Sequence, residues 1–331
     1  DQKNAAGTDA EDGAPPAAQA PTTAEDGAHD VGTGEKAAPA TTPPATSLAD
    51  SKAGALPFAL APAPDPALVE KTSEGLLPIR GADGRVPWQA YSRPFLADPG
   101  TPKIALVVIG LGLSEARTRA AIEELPGEVT LAFSPYGRRL QDYAREARAH
   151  GHETLVMVPM EPRDYPANDP GPLGLLTKLT PAQNLQRLRR ILGRFAGHVG
   201  IVNDMGSRFS AEREALSPVI AEIGRRGLLV LDARTTARSK IPELAGRFGV
   251  PFARNDRHID NVARGAEIDR YLAELETLAR RRGQAVGIGH PYPITIARIR
   301  AFAEGLQTRG LVLAPVSAVV EIPTDEGGEA R

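Results

Sequence analysis

From Lys103 to Ala314, short apolar runs alternate with longer amphipathic stretches, and no other feature constrains the fold as strongly. The runs are Ile104–Ile109, Val129–Phe133, Thr154–Val158, Val199–Val202, Leu228–Leu231, Val250–Ala253, Ala285–Ile288 and Val312–Ala314. They read as strands. Between them, helices are expected near 114–124, 138–150, 181–195, 211–226, 238–248, 264–283 and 293–308. Ser114, Thr180 and Ser210 suit N-caps, Pro181 suits a first helical turn, and Gly151, Gly227, Gly283 and Gly310 follow helices as C-terminal caps do. Strand and helix repeated seven or eight times predict an α/β fold with a parallel sheet, either a closed β/α barrel or a large doubly wound sheet. In both, function collects just past the carboxyl ends of the strands.

The first strand runs into Gly110-Leu-Gly112-Leu-Ser-Glu115. A dinucleotide fingerprint needs a third glycine where Glu115 stands and an acid after the second strand, where Ser134-Pro135 follow Phe133. The nucleotide reading is therefore a weak one. Glu161 stands between Pro159-Met160 and Pro162. It suits a general acid/base or substrate acceptor, and equally a carboxylate that ties down the turn-rich loop 163–176. Later strands end at Asn203-Asp204-Met205-Gly206-Ser207-Arg208, Asp232-Ala-Arg234 and Gly289-His290-Pro291. Glu161, Asp204, Asp232 and His290 are thus the candidate catalytic residues, with Asn203, Arg208 and Arg234 as candidate substrate contacts. Because acids and arginines occur together, a structural ion-pair network is the competing reading. His198 and His258 read as surface or loop residues.

Composition bounds what surrounds this unit. A net charge of −2 points to no nucleic acid partner, and the absence of cysteine removes disulfides, thiolate nucleophiles and Cys-rich zinc sites. No apolar run is long enough to span a bilayer. Residues 1–66 are rich in Ala, Pro, Gly and Thr and poor in large apolar side chains, which predicts a disordered linker. Residues 67–102 are expected to form an extended arm, with Trp88, Tyr91 and Phe95 packing on the main domain or, alternatively, Trp88 stacking on a sugar. Residues 103–320 form the main domain and 321–331 a C-terminal tail.

Seven stretches then recur in order: "LPGEVTLAFSPYG", "ARAHGHETLVMVPMEP", "NDPGPLGLL", "VGIVNDMGSRFS", "RGLLVLDART", "DNV" and "GIGHPYPITI". Together they resemble the divergent polysaccharide deacetylase family of bacterial envelopes. The resemblance implies a distorted (β/α)7-type barrel of parallel strands over residues 103–320. It also implies metal-assisted hydrolysis of an N-acetyl group: an Asp-Asp pair after the first strand supplies a base and a metal ligand, two histidines complete the metal site, and a last histidine protonates the leaving amine. In this chain the pair falls on Ile109 and Gly110, Asp204 stands at a position aligned with a histidine, and His290 matches the last histidine.

The expectation is a barrel that binds a glycan or envelope polysaccharide while its deacetylase chemistry is impaired or lost. The alternative is an active hydrolase with a rebuilt site of Glu161, Asp204, Asp232 and His290. No cofactor is expected; the residual candidates for a divalent ion such as zinc are Asp204, Asp232 and His290. An envelope protein is a second class of partner. The expected location is the periplasm or cell envelope, with a tether running through a segment that precedes Asp1.

Overall fold

A computed structural model describes residues 58–323. Most of the linker reading (1–57) and the last residues of the expected tail (324–331) lie outside the described residues. In chain order the elements are β1 (Val69–Thr72), β2 (Gly75–Pro78), α1 (Pro87–Ala90), β3 (Lys103–Leu111), α2 (Glu115–Glu124), β4 (Thr130–Phe133), α3 (Leu140–Ala149), β5 (Thr154–Met160), α4 (Pro181–Leu192), β6 (Gly200–Met205), α5 (Arg213–Arg225), β7 (Leu229–Asp232), α6 (Ile241–Arg247), β8 (Phe252–Arg254), β9 (Arg257–His258), α7 (Gly265–Arg282), β10 (Gln284–Gly289), α8 (Pro293–Glu304) and β11 (Val312–Ala314).

The local signals act where the sequence places them. Thr180 and Gln183 form a reciprocal capping box at α4, and Ser114 caps α2. Gly283 ends α7 at φ +82°, a left-handed conformation that a side chain disfavours. Ser210 is the exception. It sits in a 3-10 turn, where its hydroxyl donates to the Gly206 carbonyl, and Glu212 precedes α5 instead.

All strands of the main sheet pair in parallel, in the order β8-β7-β6-β5-β4-β3-β10-β9, and the sheet curls into a half-barrel with flanking helices. Its two ends meet in one bent segment, since β8 pairs with β7 while β9, three residues further on, pairs with β10. The eighth strand of the sequence, β11, wedges beside the first half of β3.

Strand alternation divides the apolar side chains into two cores. On β3, Ile104, Leu106 and Val108 face the helices, whereas Ala105, Val107 and Ile109 face the interior. The interior is sealed at the amino ends of the strands. Leu68 and Tyr91 are buried there, Trp88 and Phe95 pack against the same cluster, and Val316 and Val319 close it from the C-terminal side. Residues 58–66, grouped with the linker on composition, dock on the same unit: Leu60 N–H donates to the Arg148 carbonyl, and the Arg148 guanidinium donates to the Ala61 carbonyl. Buried Glu153 holds the seal, accepting from Arg93 N–H at 2.7 Å and from Ser317. Its carboxyl is pushed up to about 6, chiefly by burial. Among the described residues, the carboxyl ends of the strands carry no such apolar seal.

Candidate functional site

At the open end, the parity of each strand decides which side chains reach the interior. Ile109 on β3 and Met157 on β5 line it with apolar surface, and the Gly110 N–H lies 3.0 Å from the Met157 sulfur. Val202 on β6 and Ile288 on β10 also face inward. Two residues further along each strand, the same face presents Asp204 and His290.

His290 is held by a partner from the bent segment. Its Nδ1 lies 3.0 Å from Asp260 Oδ1, and its backbone N–H donates to Asp260 Oδ2 at 2.6 Å. Thr295 Oγ1 donates to Oδ2 as well, so this buried carboxylate is fully engaged. A carboxylate only accepts, so Nδ1 carries the proton and Nε2 is the free acceptor. The ring is partly exposed and lies 5.6 Å from that of Tyr292.

The Asp204 carboxyl is raised above the ordinary aspartate range by burial, which the Met205 N–H and the nearby His290 only partly oppose. No side chain hydrogen-bonds to it among the described residues. The Tyr136 hydroxyl is raised by burial and further by the Asp204 charge, so Asp204 lies within electrostatic reach of both Tyr136 and His290. Met205, next to Asp204, adopts a left-handed φ of 52°, a conformation that costs a β-carbon-bearing residue about 1 kcal/mol.

The other predicted residues do different work. Glu161 is buried and committed: Oε2 accepts from Thr177 N–H at 2.5 Å and Thr177 Oγ1 at 2.8 Å, and Oε1 pairs with Arg208 at 3.2 Å. These bonds tether Thr177, at the end of loop 163–176, as the structural one of its two readings expects, and Tyr136 holds the same loop by donating to the Pro170 carbonyl at 2.7 Å. Asn203 faces away from Asp204 and fastens β6 to β7, accepting from Ala233 N–H at 2.7 Å and donating to the Met205 carbonyl. Asp232 also points outward, because Leu231 and Ala233 take the interior positions of β7. Its Oδ1 accepts from Arg234 N–H at 2.8 Å, and burial raises its carboxyl. Arg208 stays half-exposed beside Arg163, Arg238 and Lys240 in a basic hollow of about 400 Å³. Arg234 lines a separate cavity that includes neither Asp204 nor His290.

A divalent ion therefore does not fit. Among the described residues no three His, Asp or Glu side chains gather to hold one. Asp204 and His290 share the interior, but Asp232 is on the opposite face of its strand, and Ile109 and Gly110 offer no ligand. Of the surface-or-loop reading, His198 keeps the loop but is buried, and His258 is half-buried in β9 with Nε2 on the Ala233 carbonyl. Asp260 and Tyr136 are not among the candidates that residue type and strand-end position single out. The only signals were that both fall within recurring stretches, "DNV" and "LAFSPYG".

The parallel half-barrel, sealed at the amino ends of its strands and with Asp204 and His290 at their carboxyl ends, has its polar residues where β/α barrels carry their functional sites. The family model of divergent polysaccharide deacetylases matches residues 106–320, and the chain belongs to that family. An uncharacterized protein of Haemophilus influenzae is 29% identical over 201 residues, covering 60% of this chain and 70% of its own length. Escherichia coli YibQ, also uncharacterized, is 26% identical over 238 residues, 71% of each chain. A crystal structure of an uncharacterized protein from Agrobacterium tumefaciens C58 is similar at a TM-score of 0.73 and 41% identity, covering 74% of this chain and all of the other.

Proposed function

We propose that this chain is a glycan-binding member of its family, working in the periplasm or cell envelope with the metal-dependent deacetylase chemistry lost. The observation that carries the reading is the substitution at the mouth of the barrel. Ile109 and Gly110 stand where the family's ligand pair is implied, over an otherwise open site. Around that site Leu113, Tyr136, Val262 and Ile294 are exposed on loops or a first helical turn just past a strand's carboxyl end, and Met205 is exposed at the last position of β6. Sugar rings present apolar faces and hydroxyl edges, which such a rim and the Asp204–His290 pair complement. The composition of residues 1–66 suits a tether across an envelope, and an envelope protein is the other occupant the rim would suit.

Calorimetry with N-acetylated oligosaccharides, with and without chelator, tests the reading. Affinity should survive chelator and fall about tenfold or more in Y136A and D204A, a loss of about 1.4 kcal/mol. Chelator-sensitive release of acetate by pure protein would overturn it.

One observation favours a second reading, metal-free hydrolysis. Nε2 of His290, oriented by Asp260, is placed to take a proton from an attacking water. Asp204, whose carboxyl is raised by burial, is placed to give one to the leaving group when protonated. This requires acetate release that persists in chelator and disappears in both H290A and D204N.

A further inference from the structure

The bent segment leaves a seam in the barrel wall. β8 pairs with β7 on one side, while on its other side Phe252 pairs with Glu321, and the chain first bonds to β10 where Asp256 N–H donates to the Val286 carbonyl. Between Ala253-Arg254 and Gln284-Ala285 the strands stand apart around a cavity of about 330 Å³, floored by Ala253, Val286 and Val319. The gap is made by backbone topology and not by a chance arrangement of flexible side chains.

Three arginines line it: Arg234, Arg254 and Arg282. Arg282, the last residue of α7, is held by Asp256, whose other oxygen accepts the Val286 N–H. Arg234 sits in a left-handed turn (φ 55°) pinned through its N–H by Asp232. Arg254 ends β8, in register opposite Asp232. Neither the Arg234 nor the Arg254 guanidinium has a carboxylate partner among the described residues, in a chain where most arginines do. Among the described residues the acids lining the cavity are Asp256, already engaged, and Glu321, while buried Asp232 acts on both Arg254 and Arg234 from behind the wall, so the arginines offer directed N–H donors and not a large net charge.

We propose that this seam binds a small oxyanion, a phosphate or carboxylate group, clamped by Arg234 and Arg254 with Arg282 at its edge. Guanidinium forks suit planar or tetrahedral oxyanions through paired N–H donors, and a cavity of this size admits one such group with a small substituent. The site is independent of the glycan reading, because no residue of the Asp204–His290 cleft lines it.

The test is calorimetric titration of the full chain with inorganic pyrophosphate and, separately, with malonate, in wild type, R254A, R254K, the R234A/R254A double variant and R145A. Arg145 is an exposed arginine on α3, away from the seam, and controls for bulk charge. Expected are saturable binding of at least one probe, a loss of about tenfold or more in R254A with partial retention in R254K, no binding in the double variant and no change in R145A. Which probe binds better distinguishes a phosphate from a carboxylate ligand. Absence of saturable binding of both probes, or equal losses in R254A and R145A, would overturn the proposal.

Discussion

Replacing Glu161 by alanine separates the two readings of that residue. The carboxylate accepts two hydrogen bonds from Thr177 and pairs with Arg208. Hydrogen bonds to a charged group contribute roughly 1.5–3 kcal/mol each, but Thr177 is half-buried and water can replace part of what is lost. The Arg208 pair is half-exposed and adds little. The backbone survives the change, because the Arg208 and Phe209 N–H groups bond to the carbonyl of residue 161. A loss of about 2–3 kcal/mol follows, or about 5–10 °C in melting temperature for a domain of this size. The loosening should be local, so trypsin should cut faster after Arg163 and Lys178, which flank the tied loop. Differential scanning calorimetry and timed proteolysis read both effects. A melting temperature within about a degree of wild type, combined with lost glycan affinity, would refute the reasoning and return Glu161 to the ligand-contacting residues.

Asp204→Asn should behave oppositely. Its carboxyl is raised by burial, so the ionised form costs stability as pH rises through its folded pKa, and the amide should match or exceed wild-type stability at pH 7 while weakening ligand binding. His198, buried with Nδ1 unpartnered and its pKa lowered to about 4 by burial, should make the protein acid-sensitive. Only the unfolded chain takes its proton between pH 6.5 and 4, so stability falls with pH by up to about 3 kcal/mol. Urea titrations at pH 7.5 and 4.5 should show that fall reduced in H198Q. Glu153, raised to about 6, works in the other direction, contributing most below pH 4.5 and losing about 2 kcal/mol as pH rises past 6. Ile109→Asp should cost about 3 kcal/mol for a buried carboxylate, read as a lower midpoint in urea titration at pH 7.

Much of the fold is legible in the chain itself. The alternation of apolar runs with amphipathic stretches is a local consequence of which faces must be buried, and caps such as Thr180 and Gly283 act within a turn of their own position. The lack of any carboxylate at Ile109-Gly110 is likewise a property of the sequence alone. Which polar strand-end residues meet was decided only by the tertiary structure. Asp204 and Asp232 look alike as strand-terminal aspartates, yet one residue of parity sends the first into the barrel and the second out toward the helices, because a strand's faces alternate and only the curled sheet defines an inside. Asp260 and His290 lie 30 residues apart and meet because the bent segment delivers one beside β10, which bears the other. The same bend parts the barrel wall beside Arg254, a cavity that no local pattern of residues encodes.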